Sequence, residues 1–219
     1  MTKKELIFLG PPACGKGTQT DKLAKYLNFP HVDTGSLLRA EIKNETPEGK
    51  FAKTFIDKGE LVPADLVAKI IKNRLSQNDC KNGFILDGYP RSVEQADILE
   101  DIIKEINKDE EADFRAIYFD IDTNVLVERI VNRRSCPVCG EIYNLEFKPP
   151  KVEGHCDKDG AELTQRKDDT REVAQARFDT YFKETAPLID YYKTKKVLKT
   201  INANGTIDEV WERLLEVIK

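Results

Sequence analysis

Short apolar runs alternate along the chain with longer segments in which apolar residues recur every three or four positions. The runs cover residues 6–9, 84–86, 116–119 and 197–201. Runs of this length are typical of buried strands, and the intervening periodicity is typical of amphipathic helices. Strands that alternate with helices predict an α/β fold, in which a parallel sheet forms the middle of three layers and helices cover both faces.

Helix boundaries are marked by local signals in three places. Pro63 precedes an apolar stripe and predicts the first turn of a helix. Thr206 and Glu209 have the spacing of a capping box, which predicts the start of the last helix. Pro187 falls inside a helical pattern over residues 169–192 and predicts that this helix is kinked or divided.

Two segments break the alternation and predict appendages on one core. Residues 33–62, termed the flap, contain short helical patterns without a strand between them. Residues 132–169, termed the lid, are rich in Gly, Pro, Cys and charge, and the alternation over 141–147 predicts a small hairpin sheet. We therefore expect a core of residues 1–32, 63–131 and 170–219 that carries two mobile appendages.

Residues 10–18 read GPPACGKGT and directly follow the first apolar run. Between a strand and a helix, this pattern predicts a phosphate-binding loop (P-loop), in which backbone N–H groups, the Lys16 charge and the helix dipole converge on an anion. An ordinary Gly/Pro-rich turn is the alternative. Gly17 occupies the position of the hydroxyl residue that usually contacts Mg²⁺, and Thr18 supplies a hydroxyl one place later. We therefore expect Mg²⁺ to be held mainly through water and other groups.

Asp87 is the candidate for such a group. It ends the second apolar run, and the ligands of parallel sheets gather where strands end. A carboxylate at that edge has the chemistry to bind a hydrated Mg²⁺. The alternative role of Asp87 is to start a turn before Gly88.

The lid contains a pattern typical of a metal site. A C-x2-C-G segment with Cys136 and Cys139 is followed by a C-x2-D-G segment with Cys156 and Asp159. Four such ligands suit tetrahedral Zn²⁺ and leave no position for a catalytic water, which predicts a structural site. His155 is an alternative fourth ligand, but its position next to Cys156 favours Asp159. A redox pair of Cys136 and Cys139 is a second alternative, and it leaves Cys156 unexplained.

Composition limits the classes of partner. The 219 residues suffice for one sizeable core, and the net charge of -4 argues against a general surface for nucleic acid. No stretch approaches the roughly 20 apolar residues that cross a bilayer, and the P-loop begins too early for a targeting peptide before it. We expect a cytoplasmic monomer that acts on small anions, without a membrane or nucleic-acid partner.

Six arginines fall near predicted loops and the edges of the appendages: Arg39, Arg91, Arg129, Arg133, Arg166 and Arg177. Singly, each is typical of a solvated surface charge. Together they predict a clamp around phosphates, because guanidinium groups and Mg²⁺ neutralise the charge gathered during phosphoryl transfer. The chain has only two histidines and no H-R-D motif. An acceptor that is itself a phosphate fits this composition, since it is already anionic and requires no base.

Four segments, in order, closely resemble the adenylate kinase family. They are residues 10–18; residues 33–39, which read DTGSLLR; residues 87–91, which read DGYPR, with Gln95; and residues 166–169, which read RKDD. The resemblance covers almost the whole chain and is to the long form, whose lid carries a zinc-binding hairpin. It implies reversible phosphoryl transfer from MgATP to AMP, which gives two ADP without a general base.

The resemblance also implies roles for individual residues. It implies ATP binding by Gly15, Lys16, Gly17, Thr18, Arg129, Arg133, Ile142 and Tyr143. It implies AMP binding by Thr34, Arg39, Glu60, Leu61, Val62, Gly88, Arg91, Gln95, Arg166 and Arg177. It implies action on the transferring group by Lys16, Asp87, Arg91, Arg133, Arg166 and Arg177. Gln95 has an alternative role, because it stands at capping-box spacing from Ser92.

Two P-loop residues are unusual for this family. Ala13 stands where the family usually has Gly, and Cys14 leads us to expect that a thiol-alkylating reagent slows turnover. Two other functions stay open at this point. One is a related kinase that uses UMP, CMP or GTP. The other is a regulatory P-loop ATPase whose zinc hairpin grips a nucleic acid or a protein.

Overall fold

The computed structural model describes residues 3–108 and 110–219, and within these ranges the chain forms seven strands. They are β1 (Lys3–Leu9), β2 (His31–Asp33), β3 (Gly83–Asp87), β4 (Ala112–Asp120), β5 (Arg133–Ser135), β6 (Ile142–Asn144) and β7 (Leu198–Asn202). Five strands form one parallel sheet in the order β2-β3-β1-β4-β7. The strands β5 and β6 pair with each other in an antiparallel arrangement.

Nine α-helices occur in the same described ranges. They are α1 (Lys16–Leu27), α2 (Thr34–Lys43), α3 (Pro47–Ile56), α4 (Ala64–Leu75), α5 (Val93–Asn107), α6 (Leu126–Val131), α7 (Arg171–Thr180), α8 (Pro187–Thr194) and α9 (Ile207–Ile218). The predicted capping box is confirmed, because Thr206 and Glu209 bond each other's backbone at the start of α9. Among the described helices, none has both the length and the apolar character that a membrane crossing requires.

The central sheet is buried on both faces. In β1, Leu6 and Phe8 belong to one hydrophobic cluster, whereas Ile7 and Leu9 belong to the other. Alternate residues of a strand point to opposite faces, so the two clusters lie on opposite sides of the sheet. The predicted α/β fold with a parallel sheet between helices is therefore confirmed.

Two details of the sheet predictions are wrong. The strand β2 was missed because only Val32 of its three residues is apolar and buried, so its strand character comes from pairing with β3. The small hairpin sheet expected from residues 141–147 is present as β5 and β6, but within that segment only Ile142–Asn144 form a strand, because the chain turns over residues 145–147. Its partner β5 precedes the first metal knuckle.

The helix that contains Pro187 is divided, as predicted. A π-helical turn over Tyr181–Thr185 separates α7 from α8. The N–H of Ala186 donates to the carbonyl oxygen of Tyr181 at 2.8 Å, a bond one residue wider than in an α-helix. Since proline lacks an N–H and its ring clashes with the carbonyl four residues earlier, the widened turn relieves both problems.

Candidate active site

A large cleft lies at the carboxyl edge of the parallel sheet. Its volume is about 1590 Å³, and residues of the P-loop, the flap and the lid all line it. The strands β1, β2 and β3 end at this edge in the P-loop, Asp33 and Asp87 respectively. Parallel strands bring their carboxyl ends together, which is why ligands of such sheets bind there.

The P-loop connects β1 directly to α1. Gly15 caps α1 in the left-handed region at φ 94°, and Ala13 lies in the same region at φ 60°. Glycine adopts this conformation without strain, whereas alanine does not. The curled backbone and the first turn of α1 make a concave surface that suits an anion.

Lys16 lies inside this loop. Its ammonium donates to the carbonyl oxygens of Gly10 and Pro11 at 2.7 and 3.0 Å. A Cβ at Gly17 would lie 3.8 Å from a carboxylate oxygen of Asp87. The loop therefore approaches the end of β3 closely, and Thr18 lines the same cleft.

Cys14 lies where the cleft meets the hydrophobic core. Its side chain is buried and belongs to the hydrophobic cluster that contains Leu6 and Phe8. Cys14 also lines the cleft, where its sulfur lies 3.5 Å from the Lys16 ammonium, so slower turnover after alkylation stays a prediction. The burial of Cys14 comes from the packing of the loop on the core, since a Cβ at Gly10 would lie 3.0 Å from the Cys14 sulfur and 3.1 Å from Phe119.

Acidic groups end two adjacent strands of the sheet. Asp33 and Asp87 are register partners in β2 and β3, and His31 Nε2 lies 3.9 Å from Asp87 Oδ2. Burial raises the pKa of Asp87; the Lys16 charge opposes this shift and the Asp33 charge adds to it. A buried carboxylate whose pKa is raised gains stability from a nearby cation, which is consistent with a divalent ion at this edge.

The residues predicted for the monophosphate gather beside Asp87. Arg39 of α2 and Arg91 after β3 line the cleft, and Arg91 Nε donates to the carbonyl oxygen of Gly88 at 2.8 Å. Gly88 has φ 78°, and a Cβ there would lie 3.1 Å from a guanidinium nitrogen of Arg91. Thr34 is buried in the first turn of α2, and its hydroxyl has no partner among the described residues.

Gln95 is buried at the start of α5. Its Oε1 accepts from the Arg91 N–H at 2.8 Å, while the Ser92 hydroxyl accepts from the Gln95 N–H at 3.2 Å. The capping box proposed as its alternative role is therefore only half formed. Gln95 also lines a smaller cavity of about 670 Å³, which Glu60, Leu61 and Val62 share.

Three arginines meet at the base of the lid. Burial, followed by the charge of Arg133, lowers the pKa of Arg166 and that of Arg177 to about 10 each. Arg166 and Arg177 therefore remain charged at neutral pH. Their mutual repulsion and desolvation mean that an added anion stabilises the cluster, which is the property expected of a phosphate-binding clamp.

Asp169 orients two of these arginines, and the sequence analysis assigned it no role. It is fully buried; its Oδ2 accepts from Arg133 Nε at 2.8 Å, and its Oδ1 accepts from Arg133 NH2. Arg177 NH1 lies 3.6 Å from the same carboxylate, and 3.4 Å from Asp168. The acidic pair after Arg166 was visible in the sequence, but a contact across 36 positions was not.

The lid side of the cleft carries Arg129, Ile142 and Tyr143. The guanidinium of Arg129 lies 4.7 Å from the ring centre of Phe147, which is half exposed. The Tyr143 side chain is buried in the lid, where its hydroxyl accepts from the Asp157 N–H at 2.7 Å. The Tyr143 ring therefore packs inside the lid, and we expect the residue to border the cleft through its backbone.

The lid gathers four ligand atoms at one point. One sulfur or carboxylate atom from each of Cys136, Cys139, Cys156 and Asp159 lies within 4.8 Å of the others. The edges of a tetrahedron around Zn²⁺ are about 3.8 Å for bonds of ~2.3 Å, so the cluster fits that geometry. His155 is not part of it, because its Nδ1 is bonded to the carbonyl oxygen of Glu153 at 2.9 Å.

Each metal knuckle closes on a glycine. Gly140 and Gly160 have φ 75° and 73°, and their N–H groups donate to the carbonyl oxygens of Cys136 and Cys156. The left-handed conformation favours glycine at both positions. Three sulfur donors and one carboxylate are a set that Zn²⁺ accepts.

Comparisons with known proteins give one consistent result. A family model described as adenylate kinase matches residues 8–197. The chain is 45% identical over 214 residues to adenylate kinase of Thermodesulfovibrio yellowstonii, with 98% of each chain covered. It is also 45% identical over 214 residues to that of Thermosipho africanus (98% of this chain, 99% of the relative), and 44% identical over 213 residues to that of Bacillus subtilis (97% of each).

Proposed function

The chain belongs to the adenylate kinase family, and from this premise we propose which residues of the cleft carry the reaction. The enzyme transfers the terminal phosphoryl group reversibly between MgATP and AMP, which gives two ADP. Both substrates are anions, so the reaction requires that their repulsion be overcome at one point. The observation that carries the assignment of roles is the convergence of Arg133, Arg166 and Arg177 beside the P-loop and the strand ends.

The phosphates of ATP bind over the P-loop. The backbone N–H groups around Gly15, Gly17 and Thr18 and the dipole of α1 face the anion. The Lys16 ammonium donates to two loop carbonyls at this point and lies within reach of the phosphate oxygens of bound ATP. Arg129 and Ile142, with the backbone of Tyr143, border the nucleotide on the lid side.

AMP binds on the flap side. Arg39 and Arg91 bind the AMP phosphate, because both residues line the cleft beside Gly88. The base enters the smaller cavity, where the Gln95 amide offers a donor and an acceptor to adenine. Thr34 supplies a buried hydroxyl, and the backbone of Glu60, Leu61 and Val62 forms the opposite wall.

Positioning and charge stabilisation carry the chemical step. The AMP phosphate is anionic near neutral pH and attacks without a base. Arg133, Arg166 and Arg177 neutralise the charge on the transferring group, and their desolvation strengthens that interaction. Closure of the flap and the lid would exclude water and prevent loss of the phosphoryl group to hydrolysis.

Mg²⁺ and Zn²⁺ have different roles in this proposal. Asp87 is the protein group for Mg²⁺, through water, and the ion when bound neutralises phosphate charge. Support comes from the burial of Asp87 beside Gly17 at the edge of the P-loop. Cys136, Cys139, Cys156 and Asp159 hold a structural Zn²⁺ that stiffens a lid whose own hydrophobic cluster is small.

The remaining expectations are also part of the proposal. The core consists of residues 1–32, 63–131 and 170–219, with the flap at 33–62 and the lid at 132–169. The enzyme works as a cytoplasmic monomer on free ATP, AMP and ADP, without nucleic acid or membrane. The net charge of -4 supports small substrates over a polyanionic partner.

The test is ADP formation by the wild-type chain and two variants, Lys16→Met and Arg91→Ala. We expect both variants to lose most of kcat/KM, with Arg91→Ala raising the KM for AMP more than that for ATP. Lys195→Met is the matched control, since Lys195 pairs with Glu100 on the surface. ADP formation by Lys16→Met at the wild-type rate would contradict the assignment.

Substrate choice is tested in the same assay. MgATP is combined in turn with AMP, UMP and CMP, and GTP replaces ATP in a further series. We expect ADP from AMP at a much higher rate than any diphosphate from UMP or CMP. A rate of ATP hydrolysis that does not depend on AMP and increases when nucleic acid is added would instead indicate a regulatory ATPase.

A further inference from the structure

Asp33, at the end of β2, accepts hydrogen bonds both from the first turn of α2 and from Arg39. Its carboxylate caps α2, because Oδ1 accepts from the Gly35 N–H at 3.1 Å and Oδ2 accepts from the Ser36 N–H at 2.8 Å. Oδ2 also accepts from Arg39 NH2 at 3.1 Å. The same guanidinium nitrogen donates to the Ser36 hydroxyl at 3.0 Å.

Only one edge of the Arg39 guanidinium is engaged in this way. Its NH2 carries both hydrogen bonds, and the other donors of Arg39 have no hydrogen bond to the described residues. The side chain is 38% exposed and lines the cleft. A phosphate can therefore bind to Arg39 while Asp33 stays bound, and the guanidinium then lies between two anions.

Two carboxylates lie close to the cations of the monophosphate side of the cleft. Asp33 and Asp87 are register partners, and the charges of both carboxylates act on Arg91. Burial opposes ionisation of Asp33, but the Arg39 charge and the Ser36 hydrogen bonds hold its pKa below the ordinary value. Asp33 is therefore an anion at neutral pH. A second anion at this point meets cations whose charge is already compensated.

We propose that Asp33 is an affinity-setting residue of the monophosphate site, whose carboxylate weakens AMP binding by competing with the AMP phosphate for the charge of Arg39. This inference rests on the function proposed above, in which Arg39 binds that phosphate. AMP carries close to two negative charges near neutral pH. The repulsion therefore acts on the phosphate and not on the nucleoside.

The test removes the charge and retains the shape. In Asp33→Asn, the amide oxygen replaces Oδ2 and keeps the bonds to Ser36 and Arg39, while the amide NH₂ replaces Oδ1 and loses the bond from the Gly35 N–H. Asparagine is still as good an N-cap as aspartate. Dissociation constants for AMP and for adenosine are measured by calorimetry on the full chain. We expect AMP to bind about tenfold more tightly, which corresponds to ~1.4 kcal/mol, and adenosine to bind equally.

Two further variants make the result interpretable. Asp33→Ser keeps an N-cap hydroxyl without charge, so it provides the same test if the Asn variant does not fold. Asp113→Asn is the matched control: Asp113 pairs with Arg115 near the amino end of β4, and its loss changes the net charge equally. We expect this control to bind AMP like the wild type. In kinetics, loss of the Asp33 charge should lower the KM for AMP and leave the KM for ATP unchanged.

Each outcome has one meaning. Tighter binding of AMP with unchanged binding of adenosine in a folded Asp33 variant supports the proposal. AMP binding that is unchanged or weaker overturns it, and weaker binding would mean that Asp33 only orients Arg39. If adenosine binding tightens as much as AMP binding, the proposal is also overturned. If the wild-type chain forms no ADP from MgATP and AMP, the proposed function itself fails, and this outcome is separate from the affinity of the variants.

Discussion

Replacement of Asp169 by asparagine is expected to lower both stability and activity. The wild-type carboxylate is fully buried, and both of its oxygens accept hydrogen bonds from Arg133. Asparagine keeps one acceptor and turns an N–H₂ toward the second guanidinium nitrogen. A partly buried arginine, 15% exposed, is then left without its counter-charge.

The size of the effect follows from the burial. Breaking a buried ion pair by removing one partner lowers the free energy of unfolding by roughly 3 kcal/mol. For a chain of this size, 1 kcal/mol shifts Tm by about 2–4 °C, so we expect a decrease of about 6–12 °C. Arg177, at 3.6 Å from Asp169, also loses its orientation. We expect kcat/KM to fall about 100-fold, because misplaced clamp groups act on the transition state.

The measurements are urea denaturation and ADP formation under identical conditions. Asp168→Asn is the matched control, since that carboxylate is 19% exposed and, among the described residues, its one ion pair is with Arg177 at 3.4 Å. We expect the control to lose less than about 1 kcal/mol. If both variants have the same urea midpoint and the same kcat/KM, the reasoning from burial is refuted.

Three further predictions concern other parts of the molecule. Chelation of the lid metal should lower Tm while turnover at 25 °C in excess Mg²⁺ persists; lost turnover at an unchanged Tm would contradict a structural metal. Ala13→Gly should raise the free energy of unfolding by about 0.5–1 kcal/mol, because Ala13 has φ 60°. A lower free energy of unfolding in urea denaturation would count against strain at this position. Burial disfavours the charged form of His31, but the hydrogen bond to Asp21 and the charges of Asp87 and Asp21 outweigh it and raise its pKa. This stabilisation is complete below the unfolded pKa of about 6.5 and is lost as pH rises through the folded value. NMR titration should give a lower His31 pKa in Asp21→Asn, with His155 as reference; an unchanged pKa would exclude the Asp21 contribution.

The features that the sequence determined are those built from neighbours along the chain. The P-loop, the capping box of Thr206 and Glu209, and the division of the helix before Pro187 each depend on residues within a few positions of one another. Local hydrogen bonds and backbone sterics fix such features before the chain packs. The metal knuckles belong to the same class, since each one closes on a glycine four residues after its first cysteine.

Tertiary structure alone decided the features that depend on distant partners. β2 is a strand because it pairs with β3, although two of its three residues are polar. Cys14 is buried because the loop packs on the sheet, and Asp169 matters because the fold brings Arg133 to it from 36 positions away. In the sequence Asp33 is only the first residue of the DTGSLLR segment, and the fold alone makes it the cap of α2 and places it beside Asp87 and Arg91. Charge and burial depend on distances through space, and these distances are undefined until the chain has folded.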